Sequence, residues 1–177
     1  MTFLLCGVVL VGLLCALDLL LTVGVIKRLR EHTDLLSNRD RAPMIGVGEE
    51  IGEFEASTVD GERLSTELLG DETLVAFFSP SCGPCKEKLP KFVAYARAAE
   101  IPRPVAVVVG AAHEAEEFVA ALRPVARVVV ESADGAMGTA FRAQAYPTVL
   151  KVGPDRWGKL VVQANRVDLD QPALTRS

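Results

Sequence analysis

The sequence predicts an α/β fold, a mixed central sheet flanked by helices, behind one N-terminal transmembrane helix. Three observations predict it. Residues Phe3 to Ile26 form one apolar run, strands and helices alternate through the rest of the chain, and the last two strand candidates flank a turn-rich segment as an antiparallel hairpin.

Within the apolar run the only clearly polar side chains are Asp18 and Thr22. As an uninterrupted helix it would be about 36 Å long, enough to cross a hydrocarbon core of roughly 30 Å. No Lys or Arg precedes the run and no small-x-small site ends it, so an uncleaved anchor is expected rather than a signal peptide. Asp18 within the span implies helix association, contact with an integral electron donor, or a tolerated protonated acid. Lys27, Arg28 and Arg30 follow directly, and the positive-inside tendency places what comes after them in the cytoplasm.

Residues 27–47 read as a juxtamembrane helical turn and a linker around Ala42-Pro43, 48–167 as the folded domain, and 168–177 as a tail. Glu53–Thr58 alternates weakly before Val59-Asp60-Gly61-Glu62, which predicts a small hairpin with Asp-Gly at its tip. Leu64–Leu69 reads as a helical turn ended by Gly70. Leu74–Phe78 is apolar at every position, the pattern of a central strand covered on both faces. A helix follows from Cys82 with Leu89, Phe92, Val93 and Ala96 on one face, and Pro90 is expected to kink it. Val105–Val109 is a second buried strand, Glu114–Leu122 an amphipathic helix, Val125–Val130 a third strand and Ala136–Ala143 a short helix. The closing hairpin is Thr148–Val152 with Lys159–Gln163, and Trp157 in its turn is expected to pack there.

The chemistry concentrates in Cys82-Gly83-Pro84-Cys85, where a strand stops and a helix starts. A thiol on the first turn of a helix lies beside unsatisfied N–H groups and the positive end of the dipole, which favours the attacking thiolate. A second thiol three residues on can resolve the mixed disulfide that results. A zinc site needs about four ligands. Beyond this pair the sequence after the apolar run offers no cysteine, and its histidines are His32 and His113. A net charge of −4 gives no reason to expect a nucleic-acid partner.

The strand, the CGPC, Pro90 eight residues after the first cysteine and Tyr146-Pro147-Thr148 before a late strand together resemble the thioredoxin fold. They are most similar to its membrane-tethered TlpA-like and MauD-like branch of bacterial thiol–disulfide oxidoreductases, whose Asp-Gly hairpin and N-terminal anchor also match. The resemblance covers about Gly48 to Gln163. It implies Cys82 as exposed nucleophile, Cys85 as buried resolving thiol and Pro147 as a cis-proline. With Gly83 and Pro84, Tyr146 and Pro147 would form the surface on which a substrate chain pairs as an added strand. It implies no cofactor, a protein disulfide or dithiol as substrate, and a membrane-bound or thioredoxin-type electron donor. It also places the domain on the extracytoplasmic side, against the positive-inside reading.

The chain departs from that pattern in places. Ser81 stands where most thioredoxins carry tryptophan, and Ala76 where thioredoxin has a buried proton-accepting acid. Some TlpA-like proteins place a glutamate where Lys88 stands, which leaves Glu87 as a candidate base against the ordinary reading of a solvated helix charge. Lys86 or Lys88 could further favour the Cys82 thiolate. A peroxiredoxin site wants threonine three residues before its cysteine, a position held here by Ser79. Two other readings stay open on the residues: a redox-inert binding module at the membrane, and a dithiol copper chaperone.

Overall fold

The computed structural model describes residues 45–98, 102–165 and 167–170, together with Met1 and Gly12. The chain divides into two units, Met1–Ala42 and Pro43–Ser177. Apart from Gly12, the expected span over residues 3–26 lies outside the described residues, as do the juxtamembrane segment up to residue 44 and the end of the tail. Among the described residues, no helix is long and apolar enough to cross a membrane.

The domain opens with Ile45, already buried ahead of Gly48, and with Gly48 N–H on the Val162 carbonyl at 2.8 Å. Strands β1 (Glu55–Ser57) and β2 (Arg63–Ser65) pair antiparallel, with Ala56 opposite Leu64. Their turn needs Gly61, whose φ of 81° suits a residue without Cβ, and the Thr58 hydroxyl accepts the N–H groups of Asp60 and Glu62. Leu64 therefore belongs to a strand, not to the helical turn expected from Leu64 to Leu69. Its side chain is buried in the core and its backbone pairs with β1, which leaves only Thr66–Leu68 as a 3-10 turn.

The main sheet contains β3 (Thr73–Phe78), β4 (Val105–Val109), β5 (Arg127–Glu131), β6 (Thr148–Pro154) and β7 (Leu160–Ala164), in the order β5-β4-β3-β6-β7. β3, β4 and β5 are parallel, and β6 and β7 run antiparallel to their neighbours. The parallel strands are joined by α1 (Gly83–Ala98) and α2 (Ala112–Leu122), as crossover geometry requires. The short α3 (Ala136–Ala140) leads towards β6.

β3 sits at the centre, so every one of its residues is buried. The period-2 alternation of a strand sorts them onto two cores. Val75 and Phe77 join Val105, Val107, Leu150, Phe54, Leu64 and Phe141 on one face. Leu74, Ala76 and Phe78 join Ala106, Val108, Phe92, Phe118 and Leu122 under α1 and α2 on the other.

The structure differs from the sequence reading at several boundaries. Val125 and Ala126 close the C-terminal turn of α2, both donating to the Leu122 carbonyl, so β5 starts only at Arg127. α2 starts at Ala112, with the Glu114 carboxylate accepting the Ala111 N–H at 3.4 Å. α3 ends at Ala140 because Arg142 turns to a φ of 48°. α1 begins at Gly83 and runs through Pro90 to Ala98 as one helix. Trp157 does not pack in the hairpin: it is 71% exposed, with the Arg156 guanidinium 3.9 Å above its ring. Asp155 builds that turn instead, accepting the N–H groups of Trp157 and Lys159.

Candidate active site

β3 and β6 are antiparallel with Phe77 opposite Thr148, so the chain leaving β3 and the chain entering β6 meet at the same end of the sheet. The first carries Ser79 to Cys82 and the second carries Tyr146-Pro147. This one register brings together residues far apart in sequence.

After Phe78 the backbone turns, with Cys82 N–H on the Ser79 carbonyl at 3.1 Å, and α1 begins at the next residue. Cys82 thus sits at the helix entrance, its carbonyl already accepting the N–H of Cys85 at 3.1 Å. Gly83 and Pro84 lie exposed at the tip. Cys82 is partly exposed, whereas Cys85 is fully buried, and both are free thiols.

The two thiols meet different surroundings. Cys85 lies among Ala76, Phe78, Leu89 and Phe92, and its sulfur receives the Ser79 N–H at 3.4 Å. Burial pushes its pKa up to about 12, the Ser79 hydrogen bond opposes that, and the neighbouring Cys82 thiol adds to it. Cys82 Sγ donates to the Tyr146 carbonyl at 3.3 Å.

The Tyr146-Pro147 bond is cis. Tyr146 is half-buried, and its hydroxyl donates to the Ala143 carbonyl at 3.1 Å. Thr148, buried at the start of β6, donates to the Ala145 carbonyl at 2.6 Å, which closes the loop beneath the cis bond. The Tyr146 phenol is raised above its ordinary range, first by burial and then by the charges of Glu131 and Cys85.

The remaining candidates lie further out. Glu87 is exposed on α1, one turn from Lys91, and no hydrogen bond among the described residues joins it to either thiol. Lys86 is exposed and lines a cleft of about 190 Å³ with Pro80, Ser81, Glu114, Glu117 and Phe118; Lys88 is half-buried. Ala76 is fully buried below the site, so that position of β3 supplies no ionisable group. No group of three His, Cys, Asp or Glu side chains able to hold a metal ion occurs among the described residues.

Sequence reasoning passed over two contributors. The Ser79 N–H that faces Cys85 is a backbone group and has no side-chain signature. Glu131 ends β5 half-buried and offered one signal, an acid closing an apolar strand directly before a turn.

No protein-family model and no curated protein matches the chain. Solved structures do match it. A secreted Mycobacterium tuberculosis disulfide oxidoreductase homologous to E. coli DsbE is 18% identical, over 69% of this chain and 87% of that one, with a TM-score of 0.51. MTB dsbF, in mixed oxidised and reduced forms, is 25% identical over 66% and 87%, with a TM-score of 0.51. A thiol:disulfide interchange protein from Bacteroides sp. is 15% identical over 71% and 84%, with a TM-score of 0.55. The structural neighbours of this domain are thiol–disulfide oxidoreductases, and its fold is their thioredoxin-like α/β fold.

Proposed function

We propose that this chain is a membrane-tethered thiol–disulfide oxidoreductase working as a reductase of protein disulfides. The observation that carries the reading is the asymmetry of the pair: a partly exposed Cys82 at a helix entrance and a fully buried Cys85 one turn inside.

Cys82, as thiolate, attacks one sulfur of a substrate disulfide. The substrate S–S bond breaks, its other sulfur leaves as a thiolate, and a mixed disulfide to Cys82 forms. Cys85 then gives up its proton, which the departed thiolate can take, and its sulfur attacks that of Cys82. The second substrate sulfur leaves, so the substrate has gained two electrons and the protein holds a Cys82–Cys85 disulfide. An external dithiol or a membrane-bound donor returns it to the dithiol. The high pKa of Cys85 keeps it protonated and silent until the mixed disulfide draws it in.

The tether is supported by the apolar run at residues 3–26. The reductase direction is supported by Gly-Pro between the cysteines, which resembles reducing thioredoxins. An extracytoplasmic position is supported by the resemblance to exported proteins, and a reporter fused after Ser177 tests it. The activity is tested by insulin reduction with dithiothreitol as reductant: turnover by the wild type and none above background by Cys82→Ser is expected. Equal rates from both proteins contradict it. The buried Ala76 favours a second reading, a redox-inert module, and absence of turnover by the wild type would select that one.

A further inference from the structure

Glu131 is the last residue of β5 and touches no substrate surface, yet it is tied to both loops that flank Cys82. Its carboxylate accepts two backbone N–H groups of α3, from Met137 at 3.1 Å and from Gly138 at 2.6 Å. From there a chain of bonds reaches the thiol. The Gly138 carbonyl accepts the Ala143 N–H at 2.9 Å, the Ala143 carbonyl accepts the Tyr146 hydroxyl at 3.1 Å, and the Tyr146 carbonyl accepts the Cys82 thiol at 3.3 Å. On the other side the Glu131 carbonyl accepts the Gly110 N–H at 3.0 Å. Gly110 in turn packs so closely on Pro80 that an added Cβ would lie 3.2 Å from its ring.

The space around the carboxylate is shaped for it. A Cβ on Gly135 would lie 2.3 Å from Glu131 Cδ, and one on Gly138 would lie 3.1 Å from Oε1. Burial raises the carboxyl's pKa while the Met137 and Gly138 N–H groups oppose the rise. A half-buried carboxylate with both oxygens engaged by one loop is a strong fixed link, because charge-assisted bonds are about twice as strong as neutral ones.

We propose that Glu131 is a positioning residue for disulfide exchange, holding through α3 the Tyr146-Pro147 segment on which a substrate polypeptide chain is gripped beside Cys82. This rests on the disulfide-exchange reading above and adds a specificity to it. Glu131 serves extended protein substrates, which need that segment, and not small disulfides, which need only the thiol.

The test uses the reduced full chain with dithiothreitol as reductant and two substrates, insulin and 2-hydroxyethyl disulfide. Glu131→Gln keeps the shape but sets an amide N–H₂ against a backbone donor. It should lower kcat/KM for insulin roughly tenfold, mainly through KM, and leave the small disulfide within about twofold. Gly135→Ala, which displaces the carboxylate without changing its charge, should reproduce the same split. Protection of Cys85 from iodoacetamide reports that each variant is folded.

Unchanged insulin turnover in both variants overturns the proposal. So does a parallel loss on both substrates, or loss of Cys85 protection in both variants, since either makes Glu131 a stability residue only. A wild type inactive on both substrates overturns the disulfide-exchange reading itself, an outcome distinct from these.

Discussion

At the scale of single residues, the site works because identical side chains are given different surroundings. Cys85 is fully buried and its pKa stands at about 12, against 9.0 for a free thiol. At pH 8 the thiolate fraction of Cys85 should therefore fall about a thousandfold below that of a free thiol, since each pKa unit is a tenfold change, and its alkylation should lag that of the partly exposed Cys82. Timed iodoacetamide labelling read by peptide mass checks this, and comparable rates for the two would contradict it. The sign also fixes a dependence of stability on pH. The folded pKa of Cys85 lies above the unfolded one, so its contribution is complete below about pH 9 and is lost as pH rises towards 12. Chemical denaturation of the reduced protein, compared with Cys85→Ser, should show the wild type losing stability more steeply over that window. Parallel curves would contradict it. These residues were the most legible part of the sequence, because CGPC between an apolar strand and a helix joins type, spacing and context. What surrounds the thiols was less legible. The Ser79 N–H is a backbone group, and the role of Glu131 depends on α3 and Gly135 folding against it.

At the scale of elements, the apolar run Leu74–Phe78 was readable as a central strand, because a short run with β-branched and aromatic residues that is apolar throughout suits a strand covered on both faces. Boundaries were not readable where tertiary packing outweighs local pattern. Leu64 looks helical with Leu68 and Leu69, but the hairpin buries it; Val125 looks like strand, but α2 still holds its N–H. Trp157 stays exposed where the sequence predicts hairpin packing, because Asp155 organises that turn without it. The α1 face is held to the sheet by Phe92, fully buried and edge-on to Phe78 at 5.5 Å. Phe92→Ala should cost about 3–5 kcal/mol in urea unfolding. It should also open Cys85 to iodoacetamide, since Phe92 lies on the same buried helix face about two turns along and packs in the same core as that thiol. A loss below 1 kcal/mol would show that α1 is anchored elsewhere.

At the scale of the whole molecule, Pro43–Ser177 forms its own unit with both sheet faces covered. Residues 43–177 produced alone should fold and reduce insulin within about twofold of the full chain, while only the full chain sediments with membranes. Membrane fractionation with an activity assay on each fraction checks both halves of that expectation, and equal sedimentation of the two would remove the tether. The central claim is the order of attack, and disulfide trapping tests it most directly. Cys85→Ser, mixed reduced with insulin, should accumulate a mixed disulfide that mass spectrometry of digested protein places on Cys82, and Cys82→Ser should accumulate none. An adduct on Cys85 in the Cys82→Ser protein at a comparable yield, or no adduct in either, would contradict the account.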